Sequence, residues 1–340
     1  MKFAMARGEL ALDEFGRIAR YFAPLAVGEP GALGLLDDAA VLSVGEGERL
    51  VVTMDALISS IHFLPSDSPR DIARKALRVN LSDLASMGAV CRYYTLALAI
   101  PKSWNAEAVE AWLAEFTAGL AADQAQFKIS LVGGDSVATD GPLSISITAM
   151  GTVNGDAYLP RGGASVGDDI WVSGTIGDAA LGLVALSEQW PGLDAAAREA
   201  LITRYRIPEP RLSLGAGLIG HASAAMDVSD GLMQDLGHVA RASGLGAQVE
   251  FDRVPLSVAG RAVVTLVGEE DARQHVLGGG DDYELLFTAP VTEREAIARI
   301  AAVQDVPVCR IGCMIDGQDV IALDHDGEPI ALRRTGYAHA

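Results

Sequence analysis

The sequence has little positive charge. Lys and Arg total 26 residues against 45 Asp and Glu, so the formal net charge is −19 at pH 7. Binding to nucleic acid needs clustered Lys and Arg that neutralise phosphates. The charge balance therefore argues against a nucleic-acid partner. It also implies that any phosphate ligand is bound with the help of a cation that stands between it and the acidic chain.

Cysteines, aromatic residues and long apolar runs are also scarce. Cys91, Cys309 and Cys313 are accompanied by no Cys/His cluster of the zinc-binding kind, so we interpret them as reduced structural thiols of a cytoplasmic protein. No segment reaches about 18 uninterrupted apolar residues, and no apolar stretch of a secretory signal is present, which predicts no membrane partner. Because only 6% of residues are aromatic, the core is expected to consist mainly of Ala, Val, Leu and Ile.

The length and the order of the predicted elements favour two domains. A chain of 340 residues is long for one core, and half of its residues are apolar. Strands and helices follow one another in mixed order, which favours an α+β fold over a doubly wound sheet. The turn-rich stretch 154–169 is interpreted as the junction. We therefore place the domains at 1–154 and 155–340.

Hydrophobic periodicity predicts the main elements. A helix is predicted over 71–89, with Gly88 as its closing residue. A second helix over 104–127 is predicted to carry Trp112 and Phe116 on its apolar side. An amphipathic helix is predicted over 229–243, with Gly244 as the residue that stops it. The other predicted helices are 11–22, 178–188, 194–205, 211–221 and 293–303, and the predicted strands are 50–55, 129–132, 143–147, 170–173, 283–289 and 306–313.

Acidic residues recur at the ends of apolar runs and in Gly-rich segments. Carboxylates are rarely buried unless they are paired or bound to a metal, and few Lys or Arg lie near these in sequence. Oxygen ligands without clustered His or Cys select a hard cation, Mg²⁺ or Mn²⁺, which would also supply the positive charge that phosphates need. The residues are Asp37-Asp38 in GLLDDAAVL, Asp55 in VVTMDALIS, Asp83 in VNLSDLASMG, Asp135 in LVGGDS, Asp227 and Asp230 in MDVSDGL, and Asp281-Asp282 in GGGDDYELLF.

Each aspartate also has a plainer interpretation. Asp-Gly and Gly-Asp pairs are ordinary turn residues, and we assign Asp168-Asp169 in SVGDDIWV to a turn before a strand, with no catalytic role. Asp83 could be a polar residue on the solvent side of its helix. A ligand is favoured there because its neighbours are apolar and Asn80 lies one turn earlier on the same side. The number of such sites, more than any single one, indicates metal binding.

Three further features could contact a nucleotide. Gly133-Gly134 would let a nucleotide approach the backbone closely, or would form a simple turn. Arg161 in YLPRGGA is either a phosphate or base contact or a surface charge. Ser229 could cap the helix that follows it, and the same position would expose N–H groups suited to an anion.

Common nucleotide-binding motifs are missing. The sequence contains no G-x-x-x-x-G-K-[ST], no H-R-D with D-F-G, and no G-x-G-x-x-G after its first predicted strand. If the chain binds ATP, it does so on a different scaffold.

The ordered set of motifs resembles the thiamine-monophosphate kinase family, from about Glu14 to Tyr337. The phrase NLSDLASMGA is shared with a superfamily that includes aminoimidazole ribonucleotide synthetase and selenophosphate synthetase, whereas DALISSIHF and TGYAHA resemble the thiamine branch. The resemblance implies an aminoimidazole ribonucleotide synthetase-like architecture, with an N-terminal mixed α/β ATP-binding domain and a C-terminal α+β domain. It also implies a homodimer formed through the N-terminal sheets. The motifs are GLLDDAAVL, VVTMDALISSIHF, KALRVNLSDLASMGA, LVGGDS, LPRGGASVGDDIWVSG, MDVSDGLMQDLGHVA and GGGDDYELLF.

The resemblance further implies that ATP phosphorylates thiamine monophosphate to thiamine diphosphate, by direct transfer of the γ-phosphoryl group. The Tyr337 ring would suit stacking on a flat heterocycle, and His62 could instead be a histidine at the pocket edge. The implied ligands of several Mg²⁺ ions are Asp38, Thr53, Met54 through its carbonyl, Asp55, Asp83, Asp135, Asp227 and Asp230; the implied ATP contacts are Gly134, Asp135, Arg161 and Ser229; the implied substrate contacts are His62, Asp281 and Tyr337.

Two positions depart from the family pattern, and two other functions stay open. Leu36 stands where the family has Gly before the first Asp pair, and Asp281 replaces a Glu that is one methylene longer. Another ATP-dependent synthetase of the superfamily is one alternative, although selenophosphate synthetase would need a reactive Cys in a Gly-rich N-terminal segment that this chain lacks. A non-catalytic metal- or nucleotide-binding regulator is the other, and the intact carboxylates argue against it.

Overall fold

The computed structural model describes residues 12–37, 39–187 and 189–337. Its strands are β1 (Glu48–Ile58), β2 (Val90–Pro101), β3 (Ser130–Thr139), β4 (Ser144–Asn154), β5 (Asp169–Ser173), β6 (Ala224–Asp227), β7 (Gly246–Glu250), β8 (Leu285–Ala289), β9 (Val308–Ile315) and β10 (Val320–Leu323). Its α-helices are α1 (Glu14–Arg17), α2 (Pro69–Ser86), α3 (Ala106–Phe127), α4 (Asp178–Leu186), α5 (Ala195–Arg206), α6 (Leu212–Leu218), α7 (Leu232–Ser243), α8 (Val258–Val267), α9 (Glu269–Gly278) and α10 (Arg294–Gln304).

The predicted helix over 11–22 is confirmed from Glu14 to Phe22, although its hydrogen-bond type changes along the segment. The chain there forms α1, four residues long, and then a π-helix over Ile18–Phe22. The side chain of Asp13 accepts a hydrogen bond from the Gly16 N–H at 2.8 Å. An acidic side chain in this position caps a helix N-terminus, which explains why α1 begins only at Glu14.

The described residues form two compact units, each assembled from separate stretches of chain. The chain changes units within β1 and again within α2. The domain boundary between 154 and 155 stays a prediction. Unit 1 comprises the described residues up to Ser43 with Met54–Leu77 and Arg92–Ala149, and unit 2 comprises Val44–Thr53, Arg78–Cys91 and the described residues from Met150 onward.

A four-stranded sheet has the strand order β1-β4-β2-β3. Strands β2 and β3 are parallel, so that Leu96 lies opposite Gly134 and Ala97 opposite Asp135. Helix α3 buries Trp112 and Phe116, as predicted, and the two rings stack with centroids 4.5 Å apart. The segment Gly133–Asp135 is therefore part of a strand, and the alternative of a simple turn is wrong.

The six-stranded sheet of unit 2 has the order β10-β7-β9-β5-β8-β6. Strand β10 is parallel to β7, and the remaining neighbours are antiparallel. The apolar side of α7, with Leu232, Leu236 and Val239, shares a buried core with Ile170 of β5 and Val249 of β7. This mixture of helices and a mostly antiparallel sheet confirms the predicted α+β class.

Within residues 12–37, 39–187 and 189–337, no helix combines the length and the apolar character that crossing a bilayer requires.

Candidate active site

Asp83 lies on α2 and is bonded to a strand of the same unit. The Thr53 hydroxyl of β1 donates a hydrogen bond to Asp83 Oδ2 at 2.5 Å. Burial raises the pKa of Asp83 above its usual value, and the Thr53 hydrogen bond and the Arg161 charge offset part of that rise. The interpretation of Asp83 as an exposed helix residue is therefore wrong. Two of the implied metal ligands, Thr53 and Asp83, are in direct contact.

Asp227 is hydrogen-bonded to Ser82, the residue that precedes Asp83 on α2. It is the last residue of β6 and is 5% exposed, and its Oδ2 accepts a hydrogen bond from the Ser82 hydroxyl at 2.6 Å. Because Ser82 directly precedes Asp83 on α2, the Asp227 side chain bonds to the turn of the helix that carries Asp83. Thr53 and Asp227 thus both bond to this turn of α2, within unit 2.

The loop between β6 and α7 is fixed by Asp235. One carboxylate oxygen of Asp235 accepts hydrogen bonds from the N–H groups of Ser229, Asp230 and Gly231, at 3.0, 3.1 and 3.0 Å. Burial raises the pKa of Asp235 to about 7; the three hydrogen bonds oppose the rise and the Asp230 charge adds to it. Helix α7 begins at Leu232 after Gly231, whose φ is 136°. The expectations that Ser229 caps a helix from 229 and that its N–H groups await an anion are both wrong.

A second loop, after α9, lies against the first. The N–H of Asp281 donates to the Ser229 carbonyl and the N–H of Tyr283 donates to the Val228 carbonyl, both at 2.8 Å. A Cβ atom at Gly280 would lie 2.2 Å from the Ser229 carbonyl oxygen, so this approach requires glycine. Asp281 has φ of +71°, a left-handed conformation that Asp tolerates better than most residues. The implied substrate residue Asp281 is thereby placed beside Ser229.

Tyr337 and Arg161 belong to the same region of unit 2. The N–H of Tyr337 donates to the Asp230 carbonyl at 2.9 Å, and the Tyr337 side chain is half exposed. Burial lowers the pKa of His238, the charges of Arg241 and Arg161 lower it further, and Asp230 opposes them. Arg161 is therefore close enough to act electrostatically on both Asp83 and His238.

Gly134 and Asp135 lie in β3, in unit 1. A Cβ atom at Gly134 would lie 2.0 Å from the Leu96 carbonyl oxygen of β2, whereas one at Gly133 would meet nothing nearer than 3.8 Å. Asp135 is exposed, and its Oδ1 accepts a hydrogen bond from the Ser136 N–H at 2.8 Å. Both residues line a cavity of about 240 Å³ whose other walls are mainly apolar. Those walls include Phe15, Ile18, Phe22, Leu35, Leu96 and Leu131.

The remaining predicted residues of unit 1 lie on β1 and in the turn that follows it. Met54 is 62% exposed and Asp55 is half-buried. The ring Nδ1 of His62 accepts a hydrogen bond from the Ile58 N–H at 3.0 Å. This bond fixes the ring against its own turn and gives neutral His62 the tautomer with hydrogen on Nε2.

The first Asp pair lies at the edge of the described structure. Asp38 is outside the described residues, and Asp37 lines the cavity of unit 1. Leu36 has φ of −105°, so it does not occupy a left-handed position; Leu33, Gly34 and Leu35, just before it, do. The departure from glycine at Leu36 is therefore accommodated without strain at that residue.

Asp168 and Asp169 have structural partners. The Asp168 Oδ2 accepts hydrogen bonds from the Ser165 N–H and the Ser223 hydroxyl, at 3.0 and 2.6 Å. Asp169 is buried and is bound by Arg294 at 2.6 and 2.7 Å, and these contacts hold its pKa below the usual value despite burial. The assignment to the segment before a strand is confirmed for Asp168, whereas Asp169 is itself the first residue of β5.

The chemistry of the donor set fits a hard cation. Thr53, Asp83, Asp227 and Asp230 offer only oxygen atoms, which Mg²⁺ prefers. No three His, Cys, Asp or Glu side chains of the described ranges are grouped closely enough to form a complete metal site on their own. Burial raises the pKa of Asp83, and a nearby cation would favour its charged form, so this carboxylate suits a metal ligand.

Two family models match the chain and define its class. The N-terminal domain of AIR synthase related proteins matches residues 36–153, and their C-terminal domain matches residues 165–325. The chain is thus a two-domain protein of the AIR synthase related class. Within this class it belongs to the thiamine-monophosphate kinase family.

Similarity to individual proteins extends over nearly the whole chain. The thiamine-monophosphate kinase of Caulobacter vibrioides is 43% identical over 327 residues, covering 96% of this chain and 90% of the relative. The crystal structure of the enzyme from Stenotrophomonas maltophilia K279a is 45% identical with a TM-score of 0.78, covering 87% and 91% of the two chains. AaThiL complexed with AMPPCP and TMP is 28% identical with a TM-score of 0.75, covering 99% and 100%.

Proposed function

We propose that this protein transfers the γ-phosphoryl group of ATP to thiamine monophosphate, giving thiamine diphosphate and ADP. The observation that carries the proposal is the set of oxygen donors fixed around Asp83 and Asp227 in a chain of the thiamine-monophosphate kinase family. An oxygen of the substrate phosphate attacks the γ-phosphorus in line, and the bond from that phosphorus to the ADP oxygen breaks. The attacking oxygen is already anionic, so the reaction requires positioning and charge neutralisation more than a general base.

The proposed metal ligands are named for each unit separately. In unit 2 they are Thr53, Asp83, Asp227 and Asp230. In unit 1 they are Met54, through its carbonyl, Asp55 and Asp135, and Asp38 is a further candidate that lies outside the described residues. Bound Mg²⁺ supplies the positive charge that lets two phosphate-bearing reactants approach each other in an acidic protein. The residues themselves act by fixing the directions of their oxygen atoms: Ser82 orients Asp227, and Thr53 orients Asp83.

The proposed nucleotide contacts include the Gly134 backbone and the positively charged side chain of Arg161. Gly134 and Asp135 line the unit 1 cavity and would contact the nucleotide there, Gly134 through its backbone. The apolar walls of this cavity suit the base of ATP. Arg161 would add positive charge to the phosphates, and Ser229 would contact them from the loop that Asp235 fixes.

The proposed substrate contacts are His62, Asp281 and Tyr337. The half-exposed Tyr337 ring can stack on a flat heterocycle. Asp281 is held beside Ser229 by its backbone hydrogen bond, so its carboxylate is suited to the positive charge of a thiazolium ring. Because it is one methylene shorter than Glu, a water molecule would bridge any longer gap.

We further propose a cytoplasmic homodimer. Along β1, Leu50, Val52 and Met54 are 47, 55 and 62% exposed, which leaves an apolar row on one face of the strand. A second copy of the chain would cover this row and the same row on its partner. A solution mass of twice 35.5 kDa supports this arrangement, and a monomer mass at micromolar concentration contradicts it.

The activity is tested with purified protein, ATP, Mg²⁺ and a panel of acceptors. We expect ADP and a product with the mass of thiamine diphosphate when thiamine monophosphate is the acceptor. ADP formed only with another small metabolite would overturn the substrate and favour a different synthetase of the class. Binding of ATP without turnover of any acceptor would favour a regulator.

A further inference from the structure

The segment Arg333–Tyr337, here called the C-terminal strap, is held by hydrogen bonds from two glutamines. It contains no helix or strand, and all of its residues except Gly336 are exposed. Gln274 of α9 accepts from the Arg333 N–H and donates to the Arg334 carbonyl, both at 2.7 Å. These bonds fix the start of the strap to the surface of unit 2.

Gln234 of α7 holds the end of the strap. Its backbone N–H donates to the Thr335 carbonyl at 3.1 Å, and its Nε2 donates to the Tyr337 carbonyl at 2.8 Å. The same Nε2 donates to Asp230 Oδ2 at 3.2 Å. One side-chain amide therefore joins an implied metal ligand to the residue implied to stack on the substrate.

Gly336 packs directly on Gln234, which holds the strap close to α7. A Cβ atom at Gly336 would lie 2.5 Å from Gln234 Cβ and Oε1, so the strap lies directly on the Gln234 side chain. The Tyr337 N–H also donates to the Asp230 carbonyl at 2.9 Å. Tyr337 is thus tied to Asp230 twice, once through its own backbone and once through Gln234.

We propose that Gln234 is a positioning residue that sets the Tyr337 ring for substrate binding by anchoring the strap to the Asp230 loop. The inference rests on the proposed function, because it needs Tyr337 to contact the substrate. Gln234 acts through Tyr337 and does not itself touch the reacting atoms. Removal of its side-chain amide breaks the bonds to the Tyr337 carbonyl and to Asp230 together.

The kinetic test compares Gln234→Ala with Gln318→Ala. Gln318 is an exposed residue of the neighbouring loop and is the matched control. Loss of one or two hydrogen bonds should raise the KM for thiamine monophosphate about three- to tenfold, while kcat and the KM for ATP change less than about twofold. Gln234→Glu, which keeps the shape but cannot donate, should resemble Gln234→Ala. An unchanged KM, or equal increases in both KM values, overturns the proposal.

A double-mutant cycle tests whether Gln234 works through Tyr337. In a Tyr337→Ala background the ring is gone, so Gln234→Ala should raise the KM for thiamine monophosphate no further. Independent, multiplying effects of the two substitutions would contradict the proposal.

Tryptic cleavage gives a readout that does not depend on activity. Arg333 and Arg334 are exposed in the strap, and cleavage after them requires the strap to leave its site. Gln234→Ala should accelerate this cleavage about three- to tenfold, and Gln318→Ala should leave its rate unchanged. An unaltered rate in Gln234→Ala overturns the anchoring role. If the wild type makes no thiamine diphosphate but cleavage accelerates, the proposed function fails while the anchoring stands.

Discussion

Ser82 donates its hydroxyl hydrogen to the carboxylate of Asp227, across 145 residues of sequence, at 2.6 Å. The bond joins the C-terminal part of α2 to the end of β6. Both groups are buried, so the bond is made where water cannot easily replace it. It fixes the Asp227 carboxylate against the residue that precedes Asp83 on α2.

Removal of the Ser82 hydroxyl should weaken both folding and metal binding. Hydrogen bonds to charged groups contribute about 1.5–3 kcal/mol, so Ser82→Ala should lower the free energy of unfolding by that amount. An Asp227 side chain that has lost its orienting partner should also bind Mg²⁺ about tenfold more weakly. Thr117→Ala is the matched control, because the buried Thr117 hydroxyl donates to the Leu113 carbonyl of its own helix, α3. Equal Mg²⁺ dependence in the two variants would remove Asp227 from the metal site.

The neighbouring glycines of β3 should respond differently to the same substitution. Gly134→Ala forces a Cβ atom against the Leu96 carbonyl, whereas Gly133→Ala meets only a methyl group at ordinary distance. We expect Gly134→Ala to lower the free energy of unfolding by about 2–4 kcal/mol and Gly133→Ala by less than about 1 kcal/mol. Urea denaturation measures both. Similar losses in the two variants would contradict the strand register described for β2 and β3.

Asp282 should make stability fall as pH rises. It is 1% exposed, and burial raises its pKa to about 8 although it accepts hydrogen bonds from the Gly177 and Ala179 N–H groups. In the unfolded chain its pKa is about 3.9. Between these values the folded state holds a proton that the unfolded state has lost, so this contribution is present below about pH 4 and disappears by about pH 8.

The variant Asp282→Asn isolates that contribution. The difference in unfolding free energy between wild type and variant should decrease with rising pH from 5 to 8, by on the order of 1 kcal/mol per pH unit. Urea denaturation at several pH values measures it. A difference that does not change with pH would mean that Asp282 is ionised throughout this range in the folded protein.

Tyr337 should affect substrate affinity more than turnover. Loss of the ring in Tyr337→Ala should raise the KM for thiamine monophosphate roughly tenfold, which is the size expected for one aromatic ring stacked on a heterocycle. Tyr337→Phe keeps the ring and should resemble the wild type. Steady-state kinetics with thiamine monophosphate as the varied substrate measure both. If Tyr337→Ala has the wild-type KM, the residue does not contact the substrate.

The strongly periodic helices were predictable, and the short strands were not. Helices α2, α3 and α7 carry apolar residues at helical spacing over many turns, and the structure has them close to their expected positions. Strands β6 and β10 are four residues each. A run of four residues shows too few alternations of apolar and polar residues to be distinguished from a loop by sequence. Strand β2 was missed for another reason: its only continuous apolar run, 96–100, shows no clear period.

The loop after β6 shows how local chemistry was misjudged. The motif MDVSDGLMQDLG predicts Ser229 as a cap with N–H groups available to an anion. The structure gives those groups to Asp235, four to six residues later. An acidic residue early in a helix that reaches back to N–H groups before it is the logic of a capping box, and this signal was present in the sequence. By contrast, no sequence pattern predicted that each of the two compact units is assembled from separate stretches of the chain.

The central claim, that aspartates on separate elements hold the Mg²⁺ that ATP and thiamine monophosphate need, is tested most directly by the turnover of Asp55→Asn. We measure thiamine diphosphate formation by phosphorus NMR at saturating Mg²⁺, with circular dichroism to verify the fold and with Asp140→Asn, an exposed aspartate paired to Lys102, as control. The account predicts a loss of at least about 100-fold in kcat for Asp55→Asn and none for Asp140→Asn. A folded Asp55→Asn protein that turns over at the wild-type rate would contradict it.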